Sequence, residues 1–375
     1  MRHILTIASV LVGPLTAFAQ AGPEATEDAI EFKFVYEPGQ VVTHRVVNKA
    51  VGTMKLQDPI PEQKFSQTFE QDVVARCEQV KPDKSAVFGM TIPRIVMKMT
   101  LGSLKIDWAF DSRTGQEVKA DLPSPDIAAA IFKGITQTKF RFTLGPDGQA
   151  VAVTGLDEGI EKVFGELKGD ASPLVKPFMD KLREFMTDEM MTEQLESNRR
   201  TIPPTSPARI GDTWEHEWEV KIGFMNIALQ CKGQYELIGI EELHGRPCAK
   251  IRITESVETA PRPDPGKRDP AASGGKPQTM IDRMRFEMTA SGGDGIAYWD
   301  YQNGQLVRHR QTHRLMLTLS LPADPDAESI LLRTGFGPIV QKFSVATSVD
   351  LIDPAEAGTD TSSAPPEPRS NNTQH

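Results

Sequence analysis

Two histidines four residues apart, His309 and His313 in the run HRQTHR, have the spacing that chelates a metal when it falls on a helix. The surrounding text, LVRHRQTHRLMLTL, alternates apolar and polar residues and reads as a strand. Four strand residues place the two rings about 13 Å apart, too far to share an ion. His216-Glu217 opens like the helical zinc-protease motif, but the sequence continues HEWEV and the second His is missing. The methionines of VMKMT and MTDEMMTEQ sit at strand or helix spacing, where Met fills gaps in a core rather than binding soft metals. SGGDGIAYWD departs from the glycine-rich calcium repeat, occurs once, and reads as a turn before a strand. There is no Gly-x-Ser-x-Gly and no recognisable Cys–His signature, and Gly335-Phe336-Gly337-Pro338 lacks the third Gly and the Lys of a phosphate loop. No catalytic, cofactor-binding or metal-ligating residue is therefore assigned, and the chain reads as non-enzymatic.

The stretch AYWDYQNGQLVRH, residues 297–309, gathers two Tyr, a Trp, an Asp and a His within a short span. Its core, Trp299-Asp300-Tyr301-Gln302-Asn303-Gly304-Gln305, repeats the pattern of Phe110-Asp111-Ser112-Arg113-Thr114-Gly115-Gln116, and LGPDGQAV at 144–151 is a third relative. Asp accepts a backbone N–H two residues on and Gly supplies a positive φ, so each reads as strand–turn–strand rather than an active site.

Strands must carry most of this chain. Ile95, Met97, Met99 and Leu101 alternate with polar residues, as do Leu104, Ile106, Trp108 and Phe110. Trp214, His216, Trp218 and Val220 point one way while Glu215, Glu217, Glu219 and Lys221 point the other. Period two with one apolar face means half-buried antiparallel strands. Helix signals are fewer: Ser124-Pro125-Asp126 before IAAAIFKGI, Ser172-Pro173 before a stripe of Leu174, Phe178, Leu182, Phe185, Met186 and Met190, and Asp157–Leu167 as its partner. The expected layout is a first β-rich half over 30–154, a helical block over 155–200, and a second β-rich half over 201–352. Residues 259–278, rich in Pro, Gly and charge, and the tail 354–375 bury too little to order.

The halves echo each other in order. GQVVTHRV from Gly39 matches GDTWEHEW from Gly211, and the turn at Lys81-Pro82-Asp83-Lys84 matches the one at His244-Gly245. Ser124-Pro125-Asp126 matches Asp324-Pro325-Asp326, and TKFRFTL matches QKFSVATSVDL. Ordered co-occurrence points to an internal two-fold repeat. One domain of two repeated units and two separate domains both fit.

The N-terminus, MRHILTIASVLVGPLTAFAQA, has a basic start, an apolar stretch interrupted by Gly13-Pro14, and the Ala17-Phe18-Ala19 cleavage signature. It reads as a secretory signal peptide over 1–19, giving a periplasmic or extracellular protein. The net charge of −9 becomes −10 once Arg2 is removed, which argues against nucleic acid. No later segment is apolar enough to span a membrane as a helix. Cys77, Cys231 and Cys248 are an odd set. Around a turn at 244–246 the partner of Cys231 falls near residue 258, leaving Cys248 about 33 Å out of register and unable to bridge it. Buried free thiols follow, with a Cys77 bridge to either left open.

PARIGDTWE, a YELIGI-type strand and the late Trp-Asp-x-x-x-Gly-Gln turn resemble an uncharacterised family of exported bacterial proteins, a domain-of-unknown-function family, over roughly residues 32–352. The resemblance implies no catalytic residue. The strand-rich pattern with helices over one face also resembles, at fold level, the lipoprotein-carrier half-barrels of the bacterial envelope. The fold class expected is mainly β (α+β): an antiparallel sheet or half-barrel with helices covering one face. Trp108, Phe110, Trp214, Trp218 and Trp299 all fall on apolar strand faces. They are core where the sheet is covered, and line a cradle for a lipid or other apolar ligand where it is not. The other class that fits is a structural or interaction module of the envelope, bound to an envelope protein.

Overall fold

The alternation of apolar and polar residues carries directly into the backbone. The structure, a computed structural model, describes residues 29–55, 61–102, 106–114, 117–118, 132–159, 161, 187–189, 192, 202–222, 227–259, 285–321 and 336–353. In chain order the strands are β1 (Val41–Lys55), β2 (Gln63–Val80), β3 (Ala86–Leu101), β4 (Ile106–Asp111), β5 (Glu117–Val118), β6 (Lys139–Leu144), β7 (Ala150–Thr154), β8 (Thr213–Ile222), β9 (Ile227–Leu243), β10 (Arg246–Thr259), β11 (Arg285–Asp300), β12 (Gln305–Leu321) and β13 (Phe336–Leu351). They form one antiparallel sheet in the order β5-β4-β3-β2-β1-β13-β12-β11-β10-β9-β8, with β6 on β3 and β7 on β6. The first half builds outward from β1 and the second returns from β8. The last strand pairs with the first, from His44↔Leu351 to Lys55↔Val340.

Directly opposed residues share a face, so the register sorts the sheet into two surfaces. One row runs Ile95, Gln71, Val46, Val349, His309, Ala297, Ile251, Leu237. The adjacent row, on the other face, runs Arg94, Asp72, Arg45, Asp350, Arg308, Tyr298, Lys250. The first face holds the apolar core. Tyr235, Leu237, Ile251, Ile253 and Trp299 form its centre in the second half. Phe69, Ile95, Met97, Trp108 and Phe110 do so in the first, where Phe132 from a short helix over 132–137 packs on Phe69 and Phe110. Cys77, Phe88 and Leu144 make a third cluster.

An N-terminal strap joins these clusters at one end of the face. Ile30 bridges Ala208, the Lys33 N–H donates to the Tyr301 carbonyl at 3.1 Å, and Phe34 meets Trp299 edge-on at 5.9 Å. Tyr36 then packs on Phe88 and donates its hydroxyl to the Gly145 carbonyl at 3.1 Å. Gly304 is glycine for this reason: its φ is +66°, and a Cβ there would lie 2.3 Å from the Lys33 carbonyl oxygen.

Several turns of the halves use the same bonds. Gly39 donates to Cys77 and receives the strand back through Cys77 to Gln40, both at 2.8 Å; Gly211, Leu237 and Asp212 do the same at 2.7 and 3.0 Å. Among the described residues Lys84 and His244 are the two non-glycine residues with positive φ, one in each matching hairpin. Arg94 stands two residues before the register partner of Asp111 and reaches its carboxylate; Arg246 stands two before the partner of Asp300 and does likewise.

Three expectations change or sharpen. The glycine-rich SGGDG stretch is not a turn: it lies inside β11, at a register shift between Ser291 and Gly293, where missing side chains let the neighbouring strand approach. The partner of Cys231 is Val257, because register shifts by one along β9–β10, and Cys77, Cys231 and Cys248 are all buried free thiols. The length difference between halves lies mainly in the chain between β10 and β11, much longer than that between β3 and β4, and is offset in part by the shorter β8–β9 hairpin. Most of the expected helical block, the 259–278 segment past Thr259, the tail and the expected signal peptide over 1–19 lie outside the described residues. Within the block, the Asp188 carboxylate accepts the N–H groups of Gly155 and Leu156 at 2.8 and 2.7 Å, capping the helical turn at 156–159.

Candidate functional site

The five aromatics singled out above all face the apolar side, at three places. Trp108 and Phe110 stack at 6.3 Å on β4, near one end of the strand order. Trp214 stacks on Tyr235 at 5.8 Å, and Trp218 on His216 at 5.9 Å, on β8 at the other end. Trp299 is fully buried beneath the strap, at 0% exposure. The register joins the two outer groups. One row runs from Trp214 through Tyr235, Ile253, Gly295, Gln311, Thr347, Asn48, Phe69 and Met97 to Phe110. The next runs from His216 through Gly233, Glu255, Gly293, His313, Val345, Ala50, Gln67 and Met99 to Trp108. The Trp214 indole donates to the Ile202 carbonyl at 3.1 Å, while the buried indole N–H groups of Trp108 and Trp299 find no acceptor among the described residues.

In the middle of the second row sits a carboxylate. Glu255 is 4% exposed and is the only acid in the two rows; neither contains Lys or Arg. It reaches this position because β10 alternates Ile251, Ile253, Glu255, Val257 on its inner side, so period two alone places it there. Both of its direct neighbours are glycines, Gly233 on β9 and Gly293 on β11. The space they leave is used by rings. A Cβ on Gly293 would fall 2.3 Å from the His313 ring, and one on Gly233 would fall 2.5 Å from the Tyr235 hydroxyl. Each ring leans over its glycine toward the acid: Tyr235 Oη lies 3.5 Å from Glu255 Oε1 and His313 Nε2 lies 3.7 Å from Oε2. Buried Gln311 and His309 continue along β12. Beyond this notch the same face turns apolar again, with Leu315, Leu317, Leu319 and Phe343.

Sequence reasoning placed the aromatics on this face but missed Glu255, Tyr235 and the glycine pair. A usable signal existed, since Glu255 is a charge in phase with three aliphatic residues of one strand. His309 and His313 do sit on one face of one strand, as the spacing required. His44 sits near the strap end, where its Nε2 donates to the Leu306 carbonyl at 2.8 Å. Burial lowers its pKa from 6.5, against the opposing pull of that bond and of Asp350. Burial also pushes the Cys248 thiol up to about 11. The arrangement can accept hydrogen bonds at one buried acid amid apolar surface. Among the described residues no group of three or more His, Cys, Asp or Glu is placed to hold a metal ion, and no helix is long and apolar enough to cross a membrane.

No curated protein matches the chain. Among solved structures, one titled for lipid–protein interactions in lipovitellin aligns at a TM-score of 0.38 and 10% identity, over 85% of this chain and 26% of that one. The chain thus spans about a quarter of the lipovitellin chain it matches. DynF from the dynemicin biosynthesis pathway of Micromonospora chersina aligns at 0.19 and 7%, over 91% of this chain and 99% of that one. A putative exported protein with a YmcC-like fold from Bacteroides fragilis aligns at 0.18 and 10%, over 84% and 97%. At these scores none of the three carries fold or function over to this chain. Residues 84–264, a little under half of the chain and a narrower span than the 32–352 expected, match the model described as "Family of unknown function (DUF6263)".

Proposed function

We propose that this is an exported, non-enzymatic protein that holds an apolar or amphipathic ligand against the apolar face of its sheet. The observation that carries the reading is the asymmetry of that sheet: one face has aromatic and aliphatic clusters at both ends and neither Lys nor Arg in the two rows that join them, and the other is laced with ion pairs. The helical block, and the helix signal between β12 and β13, would cover this face in the manner of a half-barrel and its lid. Trp108, Phe110, Trp214, Trp218 and Trp299 would line or floor the cradle. The indole N–H groups of Trp108 and Trp299 are buried with no acceptor among the described residues. The matching Gly39 and Gly211 turns and Arg–Asp clasps support two copies of one structural unit, with the cradle spanning both.

Native mass spectrometry of the mature protein, made with export and purified without detergent, tests this. Added mass that extracts into organic solvent is the expected result and gives the ligand class. Bare protein mass, together with no change in Trp fluorescence on adding lipid extract, would overturn the cradle. A specific protein captured from envelope extracts would then favour an envelope interaction module.

A further inference from the structure

We propose that the charged face of the sheet, opposite the apolar clusters, docks on an anionic lipid surface through five cations carried by β1, β2, β3, β12 and β13. The inference goes beyond the cradle and does not rest on it, since it concerns the other face.

The register gathers the five into three adjacent rows. Lys98 and Lys49 share one row, Val51 and Arg314 the next, and Lys64, Lys342 and Met316 the third. Across these five strands the other positions in the three rows are Ser, Thr or Ala. Lys64, Lys98, Arg314 and Lys342 are exposed and Lys49 is half-buried. The nearest acids stand at the margins: Asp107 on β4, Asp294 on β11, and Glu62 just before β2. Glu70, the next acid along β2, is held by Arg94 and Arg45.

The same face shows what charges look like when they serve the fold. Further along these strands Arg94, Asp72, Arg45, Asp350 and Arg308 alternate in sign, and each cation reaches an acid. Lys232 and Arg252 likewise hold Glu215 and Glu236. Among the described residues none of the five cations makes an ion pair, so they add nothing to register or packing. In a chain of net charge −9 they collect where acids are missing. Lys98 and Lys49, and Lys64 and Lys342, lie two strands or about 10 Å apart. That spacing is close to the Debye length of about 10 Å in 0.1 M salt, so their fields add over an approaching anionic surface. Among them stand two large apolar side chains turned to solvent, Val51 at 55% and Met316 at 41% exposure. Cations around exposed aliphatic groups suit a bilayer, whose head groups take the charge and whose interface takes the apolar atoms. A soluble polyanionic strand fits less well. The cations spread in two directions, about 19 Å across the strands and 13 Å along them, and the three rows hold no aromatic ring on which a base could stack.

Flotation of the mature protein with vesicles of phosphatidylcholine alone, and of equal parts phosphatidylcholine and phosphatidylglycerol, tests this. Partition onto the anionic vesicles is expected to exceed that onto the neutral ones by at least about 100-fold. Most of that preference should vanish in about 1 M salt, where the Debye length shrinks to about 3 Å. Lys98→Gln combined with Lys342→Gln should weaken partition about 25-fold, at about fivefold for each cation, with the urea unfolding midpoint unchanged. Lys232→Gln, on the same face but engaged by Glu215 and Glu217, should change it by less than about threefold. Equal partition onto both vesicle types, a preference that survives the paired substitution, or no partition onto either would overturn the proposal. Retention by dextran sulfate without flotation would overturn it in favour of a soluble polyanion. Uptake by the cradle would occur from neutral vesicles too and would not respond to Lys98 or Lys342, so the two readings fail separately. Should the paired variant not fold, each single substitution, at about fivefold, still decides the matter.

Discussion

Replacing Asp300 by Ala tests whether the aromatic-rich stretch 297–309 is a turn or a site. The carboxylate is fully buried, at 0% exposure, and receives four donors. Oδ1 accepts the N–H groups of Gln302 and Asn303 at 3.2 and 3.1 Å, and Oδ2 accepts Asn303 Nδ2 at 2.8 Å and Arg246 Nη1 at 3.1 Å. At about 1.5 kcal/mol for a hydrogen bond to a charged group, the four sum to about 6 kcal/mol. That sum is too high, because Gln302 and Asn303 are exposed and Arg246 keeps 37% of its side-chain surface, so most orphaned donors recover water. A loss of about 3 kcal/mol is the expected outcome. Asp300→Asn, which keeps the acceptor oxygen but not the charge, should lose about half of that. Urea unfolding of the mature protein, followed by Trp emission, measures both, with ligand uptake recorded in parallel at a temperature where each variant is folded. Uptake should be unchanged. A midpoint within about 1 kcal/mol of wild type, or lost uptake at undiminished stability, would refute the turn assignment.

Asp72 is fully buried and clasps Arg45 through bonds of 2.7 and 3.0 Å, so Asp72→Ala should cost about 3–5 kcal/mol in urea unfolding, and a double-mutant cycle with Arg45→Ala should show coupling. His44 has a folded-state pKa below its unfolded value of 6.5, so the unfolded chain binds the extra proton; stability is complete above pH 6.5 and declines as pH falls below it. His44→Gln, which can still donate to the Leu306 carbonyl, should flatten that decline in a series of unfolding midpoints against pH. The thiols of Cys77, Cys231 and Cys248 are 1%, 6% and 0% exposed, and should resist maleimide in the native protein and react three to one on unfolding without prior reduction. A native disulfide, seen as missing thiol equivalents, would contradict the fold at those strands.

Much of the strand layer was legible because period two and turn chemistry are local. The alternation through Trp214, His216 and Trp218 and the Asp–Gly turns at 111 and 300 each depend on residues within one short window. The Glu255 notch was not legible in the same way. It draws on Gly233, Tyr235, Glu255, Gly293 and His313, five residues from four strands, and only the register of β9 through β12 brings them together. The histidine pair shows the boundary between the two cases. Spacing along one strand correctly set His309 and His313 on the same face and too far apart for a shared metal, yet could not show that His313 has an acid across the sheet. The glycine-rich stretch failed for a related reason. Gly293 and Gly295 are needed by neighbours, with a Cβ at the latter falling 2.6 Å from the Arg310 carbonyl oxygen, and not by any turn of their own.

The charged row on the outer face explains how the sheet can be assembled where no hairpin guides it. β1 and β13 are neighbours in space but nearly the whole chain apart in sequence, so no turn sets their register. Across that seam run Arg308, Asp350, Arg45, Asp72 and Arg94, alternating in sign over five successive strands. Arg308 and Arg310 both bind Asp350, Arg45 grips Asp72 with two bonds, and Arg94 reaches Glu70 and Asp111. A slip of one residue between β1 and β13 would carry the β1 charges to the apolar face and expose Val46 to solvent, and a slip of two would set Arg45 beside Ser348 or Ile352 in place of Asp350. The ladder therefore specifies register at the one long pairing that the chain's connectivity leaves open. By holding both halves in one continuous surface, it also fixes which residues share a row with Glu255.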